Sequence, residues 1–261
     1  KFVSRWVNSM KEADEIYVLD TGSTDNTKEL LEKENVHVTT KIFTPWRFDI
    51  ARNESLKLVP EDTDICVCTD LDEIFVPGWR KTLEENWTKD TTRARYNYNW
   101  SLDKNNKPIV NFYIEKIHTR HNYKWTHPVH EVLKFTGEIE NTITINNITL
   151  NHYPDSSKSR SSYLPLLELS VEEDPTDDRN MHYLGREYMY YGEWEKCINI
   201  LKKHLNLESA TWNLERSASM RYIARSYLNL NNESEAEFWY KCAIKEASEM
   251  REGYVELAML Y

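Results

Sequence analysis

Two carboxylates one residue apart, Asp70 and Asp72 in Thr69-Asp70-Leu71-Asp72-Glu73, follow directly on the apolar run Ile65-Cys66-Val67-Cys68. Such a run reads as a strand buried on both faces, and acids just past the carboxyl end of a buried parallel strand lie where open α/β sheets bind ligands. Carboxylates at i and i+2 can share one divalent cation there. Mg2+ or Mn2+ held by one or two carboxylates plus substrate phosphates is a usual arrangement in nucleotide enzymes. A solvated acidic turn has the same composition, so the neighbouring segments have to decide.

Two other segments bear on the decision. Leu19-Asp20-Thr21-Gly22-Ser23-Thr24-Asp25-Asn26-Thr27 ends an apolar run in an acid, passes through small residues and enters a helix. Through Asp20, Gly22, Ser23 and Asp25 this turn can meet a base, a ribose or phosphates; the alternative is an ordinary βα loop capped by Ser23, Thr24 or Asp25. Trp46-Arg47-Phe48-Asp49-Ile50-Ala51-Arg52-Asn53 sets Arg52 and Asn53 at the start of a helix, where Arg52 can pair with a phosphate or orient Asp70. Trp46, Trp100 and Trp125 are candidates for stacking on sugar or acceptor faces, with core packing the commoner use of tryptophan.

The elements that must carry these residues can be read from periodicity. Phe2, Val3, Trp6, Val7 and Met10 repeat at helical spacing, and the run Ile16-Tyr17-Val18-Leu19 is a strand ending at Asp20. Residues 27–32 favour a helix and residues 36–39 a strand, which completes a βαβ unit and implies a parallel sheet with helical crossovers. A further helix over residues 50–58 feeds the strand at 65–68, expected at the centre of that sheet. From 93 to 152 shorter β-prone segments (95–100, 110–114, 131–135 and 143–150) predict antiparallel strands, where an acceptor site can be built. Tyr153-Pro154-Asp155-Ser156-Ser157 breaks the pattern, placing a domain boundary near 155, between domains at 1–155 and 156–261. An amphipathic helix is expected from Ser159 to Glu172, and the rest is helical. There Gly185-x-x-Tyr188, Ala224-x-x-Tyr227 and Ala258-x-x-Tyr261 recur at spacings of 39 and 34 residues. That approaches the period of about 34 residues of tetratricopeptide repeats. A small residue followed by tyrosine lets paired helices approach closely; the alternative is an irregular helical bundle. The last repeat stops at Tyr261, so the protein is expected to continue.

With 40% hydrophobic residues the chain can build packed cores, and its net charge of -10 without a basic run disfavours nucleic acid and anionic membrane as partners. No apolar stretch approaches the roughly 18 residues needed to span a bilayer, and no signal-peptide pattern opens the chain. Cys66, Cys68, Cys197 and Cys242 lack zinc or redox spacing. Cys66 and Cys68, two apart in an apolar run, read as buried free thiols rather than disulfides, which favours a reducing, cytoplasmic setting where the N-x-[ST] sequons carry no weight.

Taken in order, D-x-G-S-T-D at 20–25, F-D-x-A-R-N at 48–53 and D-x-D-E at 70–73 resemble glycosyltransferase family 2, whose fold is GT-A. The resemblance extends through Trp125-Thr126-His127-Pro128-Val129-His130-Glu131 and Leu150-Asn151-His152-Tyr153 into the helical repeats. Its pairing with such repeats is similar to bacterial and phage enzymes that include the peptide S-glycosyltransferases of glycocin biosynthesis. It implies a UDP- or GDP-sugar donor, Mn2+ or Mg2+ and inversion at the anomeric carbon; the concave surface that helical repeats make suits an extended partner, so a peptide or protein acceptor is expected on the region after 180. Carried across, Asp20 contacts the base, Asp70 the ribose or metal and Asp72 the metal. His152 matches the late histidine that completes the metal site, its alternative being a strand-end histidine bonded to backbone. Glu131 is the candidate general base that deprotonates the nucleophile, with His130 as fallback. The resemblance also implies a strand ahead of Lys1 with an Asn-Glu-rich end, without which the base pocket is incomplete. Two readings compete: a catalytically degenerate scaffold that binds a partner, and a metal-dependent nucleotidyltransferase, which calls for a Gly-rich phosphate loop that six glycines do not provide.

Overall fold

The structure is a computed structural model and describes residues 2–155 and 162–261. The chain divides into two compact units, Lys1–His127 with Glu131–Lys158, and Pro128–His130 with Ser159–Tyr261. The first is α/β and the second all-α, the fold class the sequence implies.

In the first unit α1 (Val3–Met10) turns Val3, Trp6, Val7 and Met10 into the core at the spacing read from the sequence. β1 (Tyr17–Asp20), α2 (Thr27–Glu32) and β2 (His37–Thr40) form the expected βαβ unit, with β1 and β2 parallel and Tyr17 opposite His37. α3 (Phe48–Leu56) starts two residues earlier than expected, so Arg52 and Asn53 fall in mid-helix rather than at its start.

The strand expected at the centre of a parallel sheet is placed otherwise. β3 (Ile65–Val67) is three residues long and lies at one end of a five-stranded sheet of order β3-β6-β5-β9-β4, antiparallel to β6 (Pro108–Thr119). An apolar run records side-chain burial and says nothing about which strands pair. Here only Cys66 is buried, with Ile65 and Val67 half-buried. The centre is β5 (Arg93–Leu102), between β6 and β9 (Thr142–His152), with Ala94, Tyr96 and Tyr98 buried at strand period. β5 pairs parallel to β9, so the expected all-antiparallel addition is mixed. Two short elements escaped the sequence reading, β4 (Glu73–Phe75) and α4 (Trp79–Asn86), while β7 (Tyr123–Thr126) and β8 (Val132–Phe135) form a separate antiparallel pair. α3 packs against β1 and β7. The core joins α1 to Phe75, Trp79, Tyr96, Ile117, Ile148 and Leu150.

The second unit holds α5 (Tyr163–Glu173), α6 (Asp178–Tyr190), α7 (Trp194–Leu205), α8 (Asn213–Asn229), α9 (Glu233–Glu246) and α10 (Arg251–Leu260). Ser156, Ser157 and the helix start expected at Ser159 lie outside the described residues. Each helix packs on the next, and the small residues of the repeat explain how. A Cβ on Gly185 would lie 2.2 Å from Leu201 Cδ2, so only glycine permits this approach of α6 to α7. Twelve residues on from Gly185 and Ala224 lie Cys197 and Ala236, and Cys197, Ala224 and Ala236 are fully buried. Among the described residues no helix is long and apolar enough to cross a membrane. All four cysteines are free thiols, and burial pushes Cys66 up to about 12.

Candidate functional site

The link from β3 to β4 is held on every side. Cys68 N donates to Lys116 O at 2.9 Å, and Trp6 Nε1 donates to Thr69 Oγ1 at 3.0 Å. The turn closes on itself: Glu73 N donates to Asp70 O and Asp70 N donates to Glu73 Oε2, each at 2.9 Å. β9 then brings the far end of the chain alongside, with His152 in register with Glu73 and Tyr153 N donating to Asp72 O at 2.8 Å. Asp70 and Asp72 are thereby presented differently, and each meets a different partner.

Asp70 faces cations. Arg52 reaches from α3 to donate Nη2 to Asp70 Oδ2 at 2.9 Å and Nε to Glu131 Oε1 at 2.5 Å. Its guanidinium lies over the buried ring of Trp125, 4.9 Å from the centroid. Asn53, next along the helix, bonds both the N–H and the carbonyl of Trp125, at 2.9 and 2.8 Å. Lys116 Nζ lies 3.5 Å from Asp70 Oδ2 and 2.8 Å from Glu73 Oε1, which also accepts from Tyr98 OH at 2.9 Å. The result is an alternating chain of charge: Glu131, Arg52, Asp70, Lys116, Glu73. Burial favours neutral forms of both bases, yet the carboxylates outweigh it and raise the pKa of Arg52, chiefly through Asp70 and Glu131, and of Lys116, chiefly through Glu73.

Asp72 faces His152, with Oδ2 and Nε2 3.7 Å apart. The other ring nitrogen, Nδ1, is 3.1 Å from Trp100 O, and Trp100 stacks on the imidazole at 4.7 Å between centroids. A backbone acceptor at Nδ1 fixes the tautomer that turns the Nε2 lone pair toward Asp72, which is how metal-ligating histidines are commonly held. Burial lowers the His152 pKa, but Asp72 and the Trp100 carbonyl more than compensate and the net shift is upward. One carboxylate and one imidazole fit a Mn2+ or Mg2+ that takes its other ligands from substrate. Asp70 Oδ2, engaged by Arg52 and Lys116, is oriented as a charge partner.

The remaining sequence-predicted residues lie elsewhere. Asp20 is buried at the end of β1, where its Oδ1 accepts from Ser23 N at 3.0 Å, and Asp25 Oδ1 accepts from Thr27 N at 3.0 Å. Burial opposes ionisation of Asp20, but its hydrogen bonds to Ser23 and Gly22 prevail and lower its pKa. Gly22 takes a φ of +111° that L side chains rarely adopt, and Ser23 and Asp25 are exposed. His130 keeps to the second unit: its ring lies 4.4 Å from that of Tyr183, and its carbonyl accepts from Arg179 Nη1 at 2.7 Å. Trp46 packs edge-on to Phe43 and Phe48, whereas Trp100 is 49% exposed. Lys116 was missed, and Glu73 stood in the D-x-D-E motif without a role of its own. Their only signal was a lysine between the isoleucines of Ile114-Glu115-Lys116-Ile117 and an acid opening a three-residue strand, both too slight to read without the register.

Comparison with known proteins places the first unit. A family model described as glycosyl transferase family 2 matches residues 1–136. A comparison with curated proteins gives no match. Among solved structures, the N-terminal domain of stress-induced protein-1 (STI-1) from C. elegans is 15% identical at a TM-score of 0.34, covering 37% of this chain and 76% of that one. MamA is 17% identical at a TM-score of 0.34, covering 42% and 64%.

Proposed function

Because the chain belongs to glycosyl transferase family 2, we propose that it is an inverting, metal-dependent enzyme of the cytoplasm that moves a sugar from a UDP- or GDP-sugar to a peptide or protein. The observation that carries this reading is the bridge made by Arg52, which holds Glu131 one guanidinium away from Asp70. Donor and acceptor chemistry need carboxylates on opposite sides of the anomeric carbon, and a shared cation keeps two such acids close without mutual repulsion.

In this reading Asp20 and the exposed turn at Gly22, Ser23 and Asp25 receive the nucleotide base, and Asp70 the ribose. Asp72 and His152 would hold the Mn2+ or Mg2+, which would supply Lewis-acid neutralisation of the diphosphate leaving group. Arg52 occupies Glu131 Oε1, so Oε2 takes the proton from the acceptor nucleophile as it attacks. Trp125, buried against Arg52 with its ring centroid 4.9 Å from the guanidinium carbon, backs the guanidinium that bridges both carboxylates. The exposed indole of Trp100, stacked on His152, offers an apolar face to a sugar ring. The helical unit, with neighbouring helices stacked in series, supplies the long surface that an extended peptide acceptor requires.

The test is calorimetric titration with UDP- and GDP-sugars, with and without Mn2+, on the protein and on Asp72→Ala. Donor binding that needs Mn2+ and is lost in Asp72→Ala is expected. A folded protein that binds no donor under any of these conditions overturns the reading in favour of a non-catalytic scaffold.

A further inference from the structure

The second unit buries three metal-type ligands that the transfer reaction does not use. His182 on α6, His204 on α7 and Glu215 on α8 bring ligand atoms within 4.8 Å of one another. Among the described residues they are the sole such group. His204 is fully buried and His182 nearly so, while the Glu215 side chain is 13% exposed.

The hydrogen bonds within the cluster show what is unfinished. Ser219 Oγ lies 2.7 Å from His182 Nδ1 and 3.1 Å from His204 Nδ1, so a single hydroxyl serves both rings. It has one proton to donate; one imidazole must therefore carry its own proton on Nδ1 and present a bare Nε2. His204 Nε2 is buried with no hydrogen-bond partner, although Glu215 Oε1 is 3.5 Å away. A buried nitrogen facing a carboxylate without a hydrogen bond between them is left under-satisfied, a cost that a cation shared with the carboxylate removes.

We propose that His182, His204 and Glu215 bind a divalent first-row transition metal, zinc foremost, as a structural clasp on α6, α7 and α8. Two imidazoles and a carboxylate are a known zinc donor set, and carboxylate-only sites are what Mg2+ and Ca2+ prefer. Tetrahedral zinc asks for ligand atoms about 3.3 Å apart, given Zn–N and Zn–O lengths near 2.0–2.1 Å. Small side-chain rotations close the set, with Glu215 at the rim the freest to move. The fourth position is left to water. The ion would tie together three helices whose mutual packing otherwise depends on small residues such as Gly185.

This clasp is independent of the transfer reaction, and its test is kept apart from Asp72 and His152 by working in the full chain carrying Asp72→Ala. After chelation, Co2+ is titrated in and read by its visible ligand-field absorption, and Zn2+ by the shift in thermal unfolding. One equivalent of Co2+ with an intense four-coordinate band, and a higher melting temperature with Zn2+, are expected. His204→Ala should abolish both, and Glu215→Gln should weaken binding at least tenfold. If His204→Ala does not fold, Glu215→Gln and His182→Gln give the same reading. Absence of Co2+ and Zn2+ binding, or binding unchanged by these substitutions, overturns the proposal.

Discussion

Two regions of this protein bury side chains that can carry charge, and they keep them by opposite means. Around Asp70 carboxylates and cations alternate: Arg52 spans Asp70 and Glu131, and Lys116 spans Asp70 and Glu73. Around His204 there is no such alternation; two imidazoles share one serine hydroxyl, and burial holds His182 neutral. Removing a partner from the first leaves an under-compensated charge in a half-dry site, whereas the second already leaves the buried Nε2 of His204 without a hydrogen bond. The first arrangement suits charged, phosphate-bearing ligands that come and go. The second suits a bare cation that stays.

The comparison is broken most severely at Arg52. Arg52→Ala is expected to lower transfer by about a thousandfold and folding stability by about 3 kcal/mol, since it strands the half-buried Glu131 without a cation and leaves Asp70 only Lys116. Urea denaturation beside steady-state kinetics measures both, and a variant as stable as the parent would mean the charges are not coupled. Glu131→Gln is next. It keeps an oxygen for Arg52 Nε but cannot take a proton, so kcat should fall about 100-fold or more while donor binding measured by calorimetry is retained. Equal loss of donor affinity would assign Glu131 to donor binding.

In the helical unit, Gly185→Ala should cost about 1–3 kcal/mol through the clash with Leu201, more than any gain in helix propensity. Hydrogen exchange should show the loss in α6 and α7 and leave β5 and β6 protected. Uniform loss across both units would show that they unfold together. The smallest effect concerns pH. His118, buried in the sheet unit and bonded to Thr119 O, is pushed down to about 4 by burial, with Arg93 and Arg120 adding to the shift and the Thr119 bond opposing it. Its unfolded value is about 6.5, so the unfolded chain takes up the proton first. The stability is fully present above about pH 6.5 and falls as pH drops toward 4. A loss on the order of 1 kcal/mol between pH 6.5 and 5 is expected, absent in His118→Gln, by urea midpoints across that range.

Much of this protein was legible along the chain. The helix of Val3–Met10, the βαβ unit and the small-residue repeat at Gly185 and Ala224 are local patterns of side-chain period, and each formed where the residue types put it. Asp70 and Asp72 could be singled out because paired acids at a strand end are chemically conspicuous, Arg52 because its segment enters a helix ahead of them in the chain, and Glu131 only through the family resemblance. Pairing was not legible. That β3 sits at the end of the sheet, that β9 brings His152 beside Asp72, and that Lys116 fills the space between Asp70 and Glu73 all depend on register between strands far apart in sequence. Nor could residue types tell that Glu131, ranked ahead of His130 as the base, would meet Arg52. Side-chain period follows from the local backbone and is written into each segment. Which segments meet is fixed by the burial of the whole core, and charges find their partners only after that meeting.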